Sequence, residues 1–215
     1  MMVTDVLDCE RIAYLAGLAA GLGQALVDTD IAAATPGRFA AIPAGRLLPG
    51  MDVVPHSLAA AEGVSFVRIA PPSGRPTNVR AAGPAGSTGA VGSLGLLLAA
   101  ARLGVTRRLA DNAIAHLSAR TSGGEPLIRK QLVLGAIADI LVGVEALRRY
   151  LETAGPKTSS ESIVDIHDRI GELDWDVTML FGASGYLADQ PVRVLYVSAL
   201  VANTWVSREP CHARA

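Results

Sequence analysis

The sequence predicts a mainly α protein: an antiparallel four-helix bundle, preceded by a helix and a short irregular, β-containing segment. Three observations predict it. Apolar residues recur three and four apart over long stretches of the second half. Prolines crowd the stretch from Thr35 to Gly86, which excludes long helices there. Hydrophobic residues make up 50% of the 215 positions but aromatic ones only 4%, so the core must be built from Ala, Leu, Val and Ile. The composition changes near residue 85, which divides the chain into 1–85 and 86–215.

The first element runs from Asp5 to about Asp28, with Leu15, Leu18, Leu22 and Leu26 on one face. Gly17, Gly21 and Gly23 interrupt it, and each glycine costs about 1 kcal/mol relative to alanine inside a helix. They are expected to mark close helix contacts. In the proline-rich stretch, the apolar runs Met51–Val54 and Val64–Ile69 read as strands. Ala81–Gly92, with Gly83, Gly86 and Gly89, reads as a linker.

The bundle follows. Leu94, Leu98, Ala101, Val105 and Leu109 share a face of a helix from about Gly92 to Ser118. Gly123-Gly124 and Pro126 break the chain. Leu134, Ile137, Leu141 and Val144 form the stripe of a second helix, which Gly155-Pro156 ends. Ile163, Ile166, Ile170, Leu173, Val177 and Leu180 mark a third, opened by a capping box at Thr158 and Glu161. A glycine-containing turn over Phe181–Pro191 leads to a last helix, with Val194, Val197 and Val201 inside.

Several function classes find no footing. The formal net charge is -1, without the basic footprint of a nucleic-acid binder. Mean hydropathy is high, +0.36, but the most apolar stretches, Ile12–Val27 and Leu132–Leu147, read as core helices. The first is shorter than the roughly 20 residues a membrane span needs, and the second carries Asp139 and Glu145. No membrane partner is expected. The acidic start around Asp5, Asp8 and Glu10 is unlike a secretory leader. A cytoplasmic location follows, with Cys9 and Cys211 as free thiols. His56, His116, His167 and His212 show no metal-ligand spacing, so no metal is expected. The acidic run Glu172, Asp174 and Asp176 around Trp175 has the residue types for general acid–base chemistry, but reads rather as a solvated helix face. Asp165 and Arg169, four apart, are expected to pair. Gly182-Ala183-Ser184-Gly185-Tyr186 stands apart. It is either a tight interhelical turn or a place where backbone amides leading into a helix meet an anion.

From about Gly92 to Arg208 the chain resembles the C-terminal helical domain of the acyl-CoA dehydrogenase family. Leu103-Gly104 opens the match. Arg120-Thr121-Ser122-Gly123-Gly124-Glu125-Pro126-Leu127, with Gln131 four positions on, resembles the family's R-x-x-F-G-x-P motif and its glutamine. Ala138-Asp139 matches an Ala-Asp pair. Gly182 to Tyr186, with Asp189, Pro191 and Val192, resembles the G-G-x-G-[YF] turn. The resemblance implies that Arg120, Gln131, Gly182 and Gly185 bind FAD across a subunit interface, with the arginine and glutamine at its ADP part.

The departures bear equally on function. The phenylalanine of the first motif is Gly123 here. The resemblance places the family's two alternative catalytic glutamates at Val206 and Leu94, so both base positions are apolar and the catalytic residues are unknown. Residues 1–85 resemble only remnants of the family's other two domains, and tight FAD binding by this chain alone is not expected. Three readings follow. The chain is an accessory subunit that helps form a flavin or acyl-thioester site, as a homo-oligomer or with a fuller acyl-CoA dehydrogenase-like chain. Alternatively, it is a cofactor-independent biosynthetic enzyme using the bundle as a substrate pocket, with Asp139, Glu145 or Asp189 supplying acid–base chemistry. The third reading is a structural or regulatory protein without a site.

Overall fold

The computed structural model describes residues 5–69, 88–155 and 157–207. Cys211, His212 and most of the expected linker lie outside them. The first expected helix is two. Helix α1 (Val6–Ala16) ends at Gly17, whose φ of 91° suits glycine alone, and α2 (Leu18–Ala25) leaves at a new angle. The break turns Leu15 out to solvent while Leu18, Leu22 and Leu26 stay buried. The expected close contact is realised at Gly21, where a Cβ would lie 2.5 Å from the Cβ of Ala13.

A short helix, α3 (Ile31–Ala34), leads to strand β1 (Phe39–Pro43), then β2 (Asp52–Val54), helix α4 (Ser57–Ala61) and β3 (Val64–Arg68). The three strands form an antiparallel sheet in the order β1-β3-β2. Strand β1 escapes a reading of periodicity because Ala40, Ala41 and Ile42 are all buried and do not alternate.

The bundle consists of α5 (Thr88–Ala119), α6 (Gln131–Thr153), α7 (Ser160–Leu180) and α8 (Arg193–Trp205). Helix α5 begins within the stretch expected as linker. Between α5 and α6 a hairpin pairs β4 (Thr121–Ser122) with β5 (Glu125–Pro126). Gly123 and Gly124, at φ 64° and 79°, supply the two left-handed residues that its two-residue turn requires. Two further expectations shift. On α6 the buried stripe is Ile137, Ile140, Val144, Leu147 and Leu151, while Leu134 and Leu141 face outward. The cap of α7 is Ser159, whose hydroxyl accepts from the Ser162 amide at 3.1 Å; Thr158 donates instead to the Gly155 carbonyl.

Helix α5 is the central post, touched by α1, α2, α6, α7 and α8. Helix α1 lies against it so closely that a Cβ at Gly104 would overlap the Glu10 backbone carbonyl. Glu10 is buried beside that contact and reaches Arg107 of α5 at 3.0 Å and Arg148 of α6 at 3.1 Å. At the far end, α8 docks on the free edge of β1. The Trp205 indole donates to the Ala41 carbonyl at 2.9 Å, and the Ala41 amide donates to the Thr204 hydroxyl at 3.2 Å. An open strand edge is thereby satisfied. Asp165 and Arg169 do pair, at 3.0 Å, on the exposed face of α7. No helix among the described residues is long and apolar enough to cross a membrane.

Two expected outcomes follow. Gly104→Ala should lower stability in urea unfolding by about 2 kcal/mol, because α1 must move off α5. Gly135→Ala, on α6 with nothing within 4 Å of the added carbon, should raise it by about 1 kcal/mol. Separately, burial and the nearby Asp8 and Asp5 push the Cys9 thiol from 9.0 up to about 12. A raised thiol keeps its proton in the folded state after the unfolded chain has lost it. Its contribution to stability is therefore present below pH 9.0 and disappears as pH rises towards 12. In a Cys211→Ser background, Cys9 should resist a disulfide reagent at pH 8 and react only once denaturant is added.

Candidate functional site

The four residues singled out by motif lie on elements that meet at one end of the bundle. Arg120 directly follows α5 and is exposed. Its carbonyl accepts from the Leu127 amide at 2.8 Å, which folds the hairpin back and starts α6 with Gln131. Gln131 is also exposed, and no side chain caps its helix. Arg120 Nη1 lies 3.3 Å from His116 Nε2, and the His116 ring packs on Phe181 at a centroid distance of 5.4 Å. Phe181 immediately precedes Gly182. The two glycines of the turn have different reasons to be glycine. Gly182 has φ 59° and open space around it. Gly185 packs inward, where a Cβ would stand 2.5 Å from the Thr178 carbonyl oxygen. The turn itself is a 3-10 segment, Gly182–Tyr186.

A second constellation lies inside the bundle. Arg102 is buried in the middle of α5. Its Nη2 donates to Asp174 Oδ2 at 3.0 Å, and its Nη1 reaches the carbonyl of His167 at 3.0 Å and Nδ1 of the same residue at 3.1 Å. Nε2 of His167 lies 3.1 Å from the Gly95 carbonyl, which can only accept, so the proton sits on Nε2 and Nδ1 accepts from Arg102. Thr106 donates to Asp174 Oδ1 at 2.6 Å. Burial pushes the Asp174 carboxyl above its ordinary value, while Arg102 and Thr106 pull it back down. The expectation of a solvated acidic face is thus wrong for Asp174: Glu172 and Asp176 are exposed, but Asp174 points into the core. The signal was present. His167 and Asp174 occupy stripe positions of α7, beside Ile166, Ile170 and Leu173, where a polar residue demands a buried partner.

Asp174 also lines a cleft of about 510 Å³ between α7, the glycine turn, α8 and α4. Its walls include Leu58, Trp175, Tyr186, Leu195 and Tyr196. Trp175 and Tyr186 meet edge to face at 6.1 Å. Arg193 at the rim is held by Glu62 at 2.7 Å. A second groove, of about 600 Å³, separates α6 from α7, between Tyr150 and Gly143 on one side and Asp165, Arg169 and Glu172 on the other. Neither is lined by Asp139, Glu145 or Asp189. Asp139 and Asp189 are exposed, and Glu145 is engaged by Arg149 at 2.8 Å. Leu94 and Val206 are buried among apolar side chains. No group of three His, Cys, Asp or Glu among the described residues could hold a metal ion.

Residues 92–163 match the family model for the acyl-CoA dehydrogenase C-terminal domain. The bundle has the acyl-CoA dehydrogenase C-terminal fold. Solved structures share the fold at low identity. Glutaryl-coenzyme A dehydrogenase in complex with glutaryl-CoA aligns at 22% identity over 73% of this chain and 44% of that one, with a TM-score of 0.51. FkbI, for biosynthesis of the methoxymalonyl extender unit of the Fk520 polyketide, aligns at 21% identity over 73% and 46%, with a TM-score of 0.52. A chain of the ChsE4-ChsE5 complex from Mycobacterium tuberculosis aligns at 20% identity over 72% and 44%, with a TM-score of 0.50. This chain therefore spans less than half the length of these structures. No curated protein matches it in sequence.

The buried ion pair sets a thermodynamic expectation. Asp174→Ala should cost about 4 kcal/mol in urea unfolding, because it strands the Arg102 charge in the core. Arg102→Met combined with Asp174→Leu should recover most of that loss. A double-variant cost equal to the sum of the two single-variant costs would show that the pair is not a coupled unit.

Proposed function

We propose that the chain is a partner-dependent, acyl-CoA dehydrogenase-like subunit that supplies the ADP-side contacts of a flavin site and does not itself abstract the substrate proton. The observation that carries this reading is the placement of Arg120 and Gln131. Both are exposed at one end of the bundle, next to the open turn at Gly182, and line neither cleft of their own chain. Side chains exposed in this way are accessible to a ligand that another chain holds.

The chemistry of this end fits the ADP part of FAD. Arg120 offers several N–H donors in the planar fork that suits phosphate. The first turn of α6 presents backbone amides without a side-chain cap, beside Gln131. Gly182 keeps the surface clear for close approach. When bound, FAD supplies the acceptor for hydride transfer. This chain's residues grip and orient; they do not reach for a proton. Leu94 and Val206, the positions matched to the family's bases, are buried apolar side chains and accept none. Residues 5–69 act in this reading as a brace for the bundle. The apolar side chains that emerge near Gln131, Leu132 and Leu134, are 90% and 50% exposed and give a partner chain surface to cover.

The test is co-expression with fuller acyl-CoA dehydrogenase-like chains, followed by purification and an absorption spectrum. A yellow complex is expected, in which Arg120→Ala weakens FAD retention by about tenfold or more without unfolding the chain. A partner that holds FAD equally well without this chain, or with Arg120 and Gln131 both replaced by Ala, would overturn the reading.

A further inference from the structure

The cleft over Asp174 belongs to no step of that reading, and its construction points to a ligand of its own. The chain has three Phe, two Trp and four Tyr. Three of these nine, Trp175, Tyr186 and Tyr196, line this one cleft, each more than half exposed. A chain so poor in aromatic residues has concentrated them where they contact solvent. The rest of the wall is mainly apolar, through Leu58, Val192 and Leu195, with Thr178 and with Arg193, whose charge Glu62 balances at 2.7 Å.

Among the lining residues only Asp174 is both charged and buried. A carboxylate carries about four lone-pair sites. Arg102 Nη2 takes one on Oδ2, and Thr106 takes one on Oδ1. Each oxygen retains acceptor capacity. Arg102 already balances the charge, at 3.0 Å, so a second full cation gains little. An anion would be repelled by the carboxylate. The group that completes such an acceptor is a neutral donor carried on an apolar body.

We propose that this cleft is a binding site for a small, neutral, mainly aromatic alcohol or phenol, whose hydroxyl donates to Asp174 while its ring lies among Trp175, Tyr186 and Tyr196. His167 and Thr106 act as positioning residues, because they hold Arg102 and the carboxylate in place from the core side. The site does not depend on flavin or on a partner chain. It gives the bundle a recognition role separate from the end that carries Arg120.

The test is calorimetric titration of the full chain with 4-propylphenol and with its methyl ether, 4-propylanisole. The phenol should bind saturably with one site per chain. The ether, which has lost the donor, should bind about tenfold more weakly, the scale of one hydrogen bond to a charged acceptor. Ala199→Phe, which fills the cleft without touching the Arg102 cluster, should weaken the phenol by tenfold or more with the circular dichroism unchanged. Trp175→Ala, at an exposed position, should weaken both probes together. Absence of saturable phenol binding overturns the proposal. Equal affinity for phenol and ether removes Asp174 from recognition, and binding that survives Ala199→Phe places the ligand elsewhere. A cleft that takes no phenol but becomes protected from hydrogen exchange over 185–196 when a partner chain is added would assign it to that partner instead. Failure to bind FAD bears only on the other end of the bundle, so the two readings fall separately.

Discussion

A guanidinium in the middle of a helix packed on every side is the constraint around which this fold is arranged. Helix α5 is surrounded by α1, α2, α6, α7 and α8, and Arg102 lies within that shell. A buried charge is tolerated only with a counter-charge and filled hydrogen-bond positions. Asp174 supplies the counter-charge and the acceptor for Nη2, two atoms of His167 receive Nη1, and Thr106 holds the carboxylate in turn. The arrangement sets the rotation of α7 about its own axis, since His167 and Asp174 must both look at α5. Once they do, Trp175 is turned outward and Thr178 and Gly171 face α8. The cleft is thus a geometric consequence of satisfying Arg102.

The rest of the bundle obeys a simpler rule. With few aromatic residues to fill space, the helices must come close, and glycine is used where another side chain or a backbone presses in. A Cβ at Gly95 would stand 2.7 Å from Ile163, and one at Gly143 would stand 2.7 Å from Leu173. Gly104 meets the backbone of α1 itself. Interiors packed to crystal-like density leave little slack at such points. Glu10 adds a polar anchor that joins α1 to both α5 and α6. Together, these contacts give residues 5–69 and the bundle one continuous core.

Functionally, the molecule presents two surfaces of different character. One end of the bundle offers exposed donors and an open glycine turn, for which we propose an anionic ligand held by another chain. The cleft between α7 and α8 offers aromatic walls with the buried Asp174 among its lining, for which we propose a neutral donor. Tyr186 and Gly185 of the glycine turn line that cleft, while Gly182 belongs to the first surface. Glycine serves backbone freedom at Gly182 and internal packing at Gly185. A motif match alone would assign both the same role.

The sequence by itself determined the four bundle helices, the Gly123-Gly124 reversal, two of the three sheet strands and the resemblance to the acyl-CoA dehydrogenase C-terminal domain. These rest on local physics: repeats of three and four, glycine and proline stops, and short motifs at fixed spacing. It missed what depends on neighbours distant in the chain. The split at Gly17 was hidden because the apolar stripe continues through it, and β1 was hidden because both of its faces are covered. The capping residue of α7 was shifted by one, since Thr158 and Ser159 are both capable and only geometry chooses. The outward turn of Leu134 and Leu141 depends on which face of α6 meets α5 and α7. Asp174 was misread because an acidic residue in an acidic run looks solvated until Arg102, 72 positions away, is brought to 3.0 Å from it. Only the tertiary structure could decide that, because the free energy of a charge depends on what surrounds it and not on its place in the chain.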